Sequence, residues 1–80
     1  MTRTATRWTS EALVARLRAQ SAIDTAPRGI AALAAAEHLE LLHTIDQVTE
    51  ARMSPDDAVA KMTRISEDIR QALATTGSQG

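Results

Sequence analysis

Acidic and histidine side chains with metal-ligand spacing lie close together in residues 37–43. Glu40 and His43 are three residues apart, so one turn of a helix would present both side chains to the same ion. Helical bundles bind iron through Glu-x-x-His pairs of this kind, and each site requires two pairs. A homodimer would supply the second pair. Glu40 and His43 are therefore an alternative metal site, and the competing interpretation is a solvated polar face.

A second histidine in this segment, His38, cannot join the same site. Five residues separate it from His43, which places the two side chains roughly 140° apart around a helix. The periodicity predicts His38 within the apolar stripe of its helix, as a hydrogen-bonded core residue. Because histidine changes charge near neutral pH, a pH-sensitive subunit contact is the other interpretation.

The motifs of common enzyme classes do not occur in the chain. It has no cysteine and no Gly-x-Ser-x-Gly sequence, so nucleophilic catalysis has no recognisable centre. Its three glycines, Gly29, Gly77 and Gly80, cannot form a phosphate-binding loop. We therefore expect a protein that is not an enzyme and that carries no cofactor.

Charge is unevenly distributed along the 80 residues, although the net charge is only −1. Residues 1–28 carry five arginines and two acidic residues, a charge of +3, whereas residues 29–80 carry four basic and eight acidic residues, a charge of −4. A basic N-terminal segment of this kind can contact nucleic-acid phosphates, which makes nucleic-acid association the first alternative function. The arginines that would make those contacts are Arg3, Arg7, Arg16 and Arg18.

Helical periodicity and capping residues place these side chains on three helices, with no strand pattern. Thr9 is a good N-cap for the first helix, and Trp8 precedes it at the position of a hydrophobic staple. Ser54 followed by Pro55 ends one helix and starts the next, which predicts a joint of one or two residues. The predicted segments are a flexible basic arm (1–8), a single helical domain (9–77) with helices at about 10–20, 27–52 and 55–76, and a tail (78–80).

Apolar side chains follow one face of each predicted helix. The first helix is expected to pack through Leu13, Val14 and Leu17. The second has a stripe centred on Ile45, with Glu40 and His43 on the opposite side. The third has a continuous stripe: Ala58, Val59, Met62, Ile65, Ser66, Ile69 and Leu73.

The predicted fold is all-α: an antiparallel helical hairpin with a short N-terminal helix, completed by oligomerisation. Aromatic residues make up 1% of the chain and alanine supplies much of its apolar content, so the core is expected to be thin. We expect a cytoplasmic protein–protein interaction module that binds itself and an unidentified protein, as a small regulator, inhibitor or assembly factor does. No apolar run reaches the roughly 20 residues of a membrane span, and no signal peptide is expected. The predicted interface residues are Trp8, Leu33, Leu39, Leu41 and Ile45.

Overall fold

The computed structural model describes the backbone of residues 8–79 and the side chains of residues 8–75. This part of the chain is helical, without strands. Its α-helices are α1 (Ser10–Asp24), α2 (Ala31–Thr49) and α3 (Pro55–Gln79), and a single 3-10 turn (Arg28–Ile30) precedes α2. The arm at residues 1–7 and the last residue of the tail lie outside the described residues.

The predicted N-caps of α1 and α3 are confirmed. The backbone N–H of Ala12 donates to Thr9 Oγ1 at 3.1 Å, and the N–H of Asp57 donates to Ser54 Oγ at 3.1 Å. Each cap satisfies one of the N–H groups that the first turn of a helix leaves without a partner. These two caps set where α1 and α3 begin.

The end of α2 is earlier than predicted. Ala51 has a φ of 64°, in the left-handed region, and its N–H donates to Val48 O at 3.0 Å. The N–H of Arg52 reaches back to Gln47 O at 2.7 Å. This pair of bonds is a Schellman motif, which ends a helix although alanine tolerates the left-handed region poorly. The connection to α3 is therefore five residues long (50–54), not one or two.

The other helix boundaries also differ from the prediction. The first helix continues to Asp24, and Thr25 Oγ1 donates to Ser21 O at 2.8 Å at its end. The second begins at Ala31 rather than at Pro27, because residues 28–30 form the 3-10 turn. The third passes through Gly77 and continues to Gln79. Glycine costs only about 1 kcal/mol in a helix, so its presence near a terminus does not require a stop.

The face of α1 that packs is opposite to the predicted one. Its buried residues are Ala12, Ala15 and Ala19, while Leu13 and Leu17 remain 43% and 68% exposed. The contacts of α1 are most extensive with α3 and smaller with α2. Alanine allows two helix backbones to approach closely, so α1 packs through its small side chains and leaves its leucines outside.

The core joins all three helices. Its fully buried large side chains are Leu41 and Val48 of α2 with Met62 and Ile69 of α3. The four core residues of α3 (Ala58, Met62, Ile65 and Ile69) all belong to the predicted stripe. In the described part of the chain, four of the ten residues of the core cluster are alanine, which buries little apolar area. The core is therefore small, as expected from composition.

Candidate functional site

An exposed apolar surface runs along the side of α2 that faces away from the core. We call it the outward face of α2, and its residues are Ala32, Ala35, Ala36, Leu39 and Leu42. Leu39 is 69% exposed and Leu42 is 45% exposed. The members recur every three or four residues, so they share one side of the helix, roughly opposite the buried side. Most helices of soluble proteins have one apolar side, whereas α2 has two; α1 likewise exposes Leu13 and Leu17 on the side opposite its buried alanines.

The buried side of α2 is rotated from the predicted stripe. Its buried residues are Ala34, Glu37, Leu41, Thr44 and Val48. Glu37 occupies the position expected for His38, and His38 is exposed. The prediction of a core histidine was therefore wrong. The predicted stripe was centred too close to His38 because it gave weight to the large apolar residues Leu42 and Ile45, which are not on the fully buried side.

The predicted interface residues fall into three environments. Leu41 is fully buried in the core, so it has no surface to offer a partner and is removed from the candidate interface. Leu33, Ile45 and Trp8 are partly buried and pack against the core. Leu39 is exposed and is therefore the predicted interface residue that remains open to a partner.

The indole of Trp8 is held at the start of α1. The guanidinium carbon of Arg16 lies 5.1 Å from the centre of its ring, a cation–π distance. Together with its packing against the core, this contact gives Trp8 a role in anchoring α1. Trp8 was assigned to the flexible arm, and the structure places it on the body of the protein.

A groove of about 470 Å³ lies between α1 and α3. Its lining includes the apolar residues Val14, Ala15 and Val59 and the charged residues Glu11 and Arg18. Val14 is 45% exposed. The sequence predicted that Val14 would pack, and the groove is where its side chain meets solvent instead.

A second, polar groove of about 300 Å³ lies between α2 and α3. Its charged residues are Glu37 and Glu40 from α2 and Lys61, Arg64 and Asp68 from α3. Lys61 Nζ lies 3.2 Å from Glu40 Oε1, an ion pair that links the two helices and is about half exposed. Exposed pairs of this kind contribute at most about 1 kcal/mol, so this pair adds little to the stability of the fold.

Glu37 is the buried acid of the polar groove. Its side chain belongs to a residue only 8% exposed, and its Oε2 is buried without a hydrogen-bond partner among the described residues. Burial raises the pKa of Glu37 to about 7, assisted by the Asp68 carboxyl, with which a protonated Glu37 can share a hydrogen bond, and by repulsion from Asp68 and Glu40, while Arg64 opposes the rise. Near neutral pH the carboxyl is therefore partly protonated, and its O–H can donate to Asp68.

Sequence reasoning missed the role of Glu37, although a signal was present. Glu37 is three residues after Ala34 and four before Leu41, so it lies on the apolar side at helical spacing. A glutamate at such a position indicates either a side chain that extends to solvent at the edge of the core or a buried carboxyl group. The acidic and basic residues that accompany it come from α3, which no local pattern in α2 reveals.

The alternative metal site has few ligands around it. Glu40 is half exposed and its carboxylate is paired with Lys61, and His43 is exposed. Among the described residues, no group of three or more histidine, cysteine or acidic side chains is placed to hold a metal ion. Within the described part of one copy, Glu40 and His43 therefore have no third histidine, cysteine or acidic side chain placed to complete a metal site with them.

Two arginines of the alternative nucleic-acid site, Arg16 and Arg18, lie in the described part of the chain and have different surroundings. Arg16 is held over Trp8, and Arg18 lines the groove between α1 and α3. Arg3 and Arg7 lie outside the described residues. The two described arginines therefore do not form one continuous basic surface.

Comparison of the chain with protein-family models, with curated proteins and with solved structures finds no match. Among residues 8–79, none of the helices has the length and apolar character required to cross a membrane.

Proposed function

We propose that the protein is a non-enzymatic helical interaction module, which self-associates through the outward face of α2 and docks on a macromolecular partner. A small regulator, inhibitor or assembly factor would act in this way. The single observation that carries the proposal is the second apolar side of α2, with Leu39 69% exposed at its centre. Exposed apolar area that recurs along one helix side is typical of interaction sites, whereas a lone exposed leucine is not.

The thin core supports association. Among residues 8–75, the core cluster of ten residues includes four alanines, which bury little area, and a chain of this size has few other sources of stability without a disulfide or partner. Full burial of an exposed leucine contributes about 1.5–3 kcal/mol. Covering Leu39, which is 69% exposed, and Leu42, which is 45% exposed, would add the share of this that corresponds to their exposed fractions. Association would therefore add to the small free energy of folding that the core of a single copy supplies.

We further propose that α2 and α3 form an antiparallel hairpin. Glu40 of α2 is paired with Lys61 of α3, and Glu37, which precedes Glu40, interacts with Asp68, which follows Lys61. The earlier residue of α2, Glu37, therefore meets the later residue of α3, Asp68. This order of contacts is the one expected for antiparallel helices. This arrangement leaves the outward face of α2 on the outside of the hairpin.

Thermal unfolding at several protein concentrations tests the proposal. An associating protein is stabilised by mass action, so its melting temperature is expected to rise with concentration. The variant Leu39→Glu places a charge at the centre of the proposed surface, and its melting temperature is expected to be independent of concentration. A wild-type melting temperature that does not change with concentration would count against self-association through any surface.

A further inference from the structure

We infer that a second copy of this chain covers the outward face of α2 in an antiparallel arrangement, with Leu39 of each copy at the two-fold axis. The inference rests on the proposed function and specifies the first occupant of its surface. It follows from two features of the same helix, namely the position of charge at its ends and the order of large and small side chains between them.

The two ends of α2 carry opposite charges. Arg28, in the turn that precedes α2, is exposed. Asp46 and Glu50, in and after the last turn, are also exposed. Arg28 and Glu50 are each eleven residues from Leu39, so an antiparallel pairing centred on Leu39 sets Arg28 of one copy opposite Glu50 of the other. Asp46 is one turn from that contact.

A parallel pairing would have the opposite electrostatic result. It would bring Arg28 of one copy to Arg28 of the other, and likewise Glu50 to Glu50, which are repulsive contacts. Glu50 Oε1 lies 3.4 Å from Arg52 Nε within its own chain, but both side chains are more than half exposed. Such an exposed pair is weak and leaves Glu50 able to contact an arginine of the second copy.

The order of side-chain sizes favours the same pairing. Leu42 lies three residues after Leu39 and Ala36 lies three residues before it, so antiparallel packing sets the large Leu42 of one copy over the small Ala36 of the other. A parallel pairing would oppose leucine to leucine and alanine to alanine, leaving gaps beside the alanines. Well-packed interfaces set large side chains against small ones.

Disulfide trapping tests this geometry, because the chain contains no cysteine. Ala35 and His43 are each four residues from Leu39 and both are exposed, so they should meet across an antiparallel interface. When Ala35→Cys is mixed with His43→Cys and oxidised, a disulfide-linked dimer containing one copy of each variant (the crossed disulfide) is expected. Either variant alone is expected to form much less disulfide-linked dimer. Disulfides require Cα atoms within about 7 Å, so efficient trapping of each variant with itself would mean a parallel pairing and overturn the inference.

Charge reversal gives a second readout that needs no oxidation. Arg28→Glu is expected to weaken dimerisation roughly tenfold, and adding Glu50→Arg to the same chain is expected to restore it. In a parallel dimer, Arg28→Glu would replace the repulsion between two arginines with a repulsion between two glutamates and leave the affinity unaltered. An unaltered affinity would therefore overturn the inference.

The proposed function can survive that failure. If Leu39→Glu abolishes association but neither the crossed disulfide nor the charge rescue is obtained, the outward face is an interface with a different register or occupant. If Leu39→Glu has no effect on association, the surface itself is wrong and both proposals fall. The two failures are therefore distinguishable in the same set of variants.

Discussion

Leu39 and Leu41, two residues apart in α2, lie on opposite sides of the helix: Leu41 is completely buried and Leu39 is 69% exposed. Two residues correspond to roughly 200° of rotation, so the helix can bury one leucine only by presenting the other. The burial of Leu41 in the core shared by the three helices thus directs Leu39 away from the core. The outward face is a direct consequence of how the core is built.

Stability is expected to fall as pH rises from about 4.5 to about 7, because of Glu37. Its folded pKa, about 7, exceeds the ordinary value of 4.5, so the folded state holds more protons than the unfolded state between these values. The stability contributed by the protonated carboxyl is complete below 4.5 and is lost as pH rises through 7. The groups that face it are Asp68, Arg64 and Lys61 of α3 and Glu40 of α2.

The variant Glu37→Gln isolates this effect from the titration of other carboxyls. It is expected to be more stable than the wild type by an amount on the order of 2 kcal/mol at about pH 8 and nearly equal to it near pH 4.5. Urea unfolding of both proteins across this range, at one protein concentration, gives the difference. A difference that does not depend on pH would show that Glu37 titrates normally.

Ala51→Gly is expected to stabilise the protein by about 1 kcal/mol. Ala51 has a φ of 64°, a conformation that costs an L-residue about 1 kcal/mol or more and glycine very little. Ala60, exposed within α3, is the matched control, and Ala60→Gly is expected to destabilise by about 0.5–1 kcal/mol. Chemical denaturation measures both, and destabilisation by both variants would contradict a left-handed Ala51.

Thr9→Ala is expected to destabilise the protein by about 1 kcal/mol, since Thr9 Oγ1 accepts the N–H of Ala12 at 3.1 Å. Ser10, the next residue and the first of α1, supplies the control. Ser10→Ala removes a hydroxyl with no capping role and is expected to change stability by less than about 0.5 kcal/mol. Equal effects of the two substitutions, measured by thermal unfolding, would be inconsistent with Thr9 as the N-cap.

Local signals in the sequence predict the helices better than they predict the packed faces. The caps at Thr9 and Ser54 and the stripe of α3 follow from residue types within a few positions of one another. The end of α2 does not, because Ala51 adopts a conformation that alanine rarely adopts. The Schellman motif that ends α2 follows from the connection to α3 and not from the types of the residues that form it.

The packed faces of α1 and α2 depend on neighbours that a local pattern does not contain. Hydrophobicity favours Leu13 and Leu17 as the buried side of α1, whereas close approach to α3 favours Ala12, Ala15 and Ala19. In α2, a rotation of less than one residue position exchanges Glu37 for His38 on the buried side. That exchange moves the titratable group of the core from a base to an acid, and so determines the direction of the expected pH effect.

The most direct test of the central claim is sedimentation equilibrium of the wild type, Leu39→Glu and Leu17→Glu. Leu17 is 68% exposed on α1 and matches Leu39 in residue type and exposure, so it controls for loss of any exposed leucine. The wild type and Leu17→Glu are expected to form the same dimer, while Leu39→Glu is expected to dissociate with a Kd at least roughly 100-fold higher and unchanged helical circular dichroism. If Leu39→Glu associates as tightly as the wild type, or if both variants weaken association equally, the outward face of α2 is not the interaction surface.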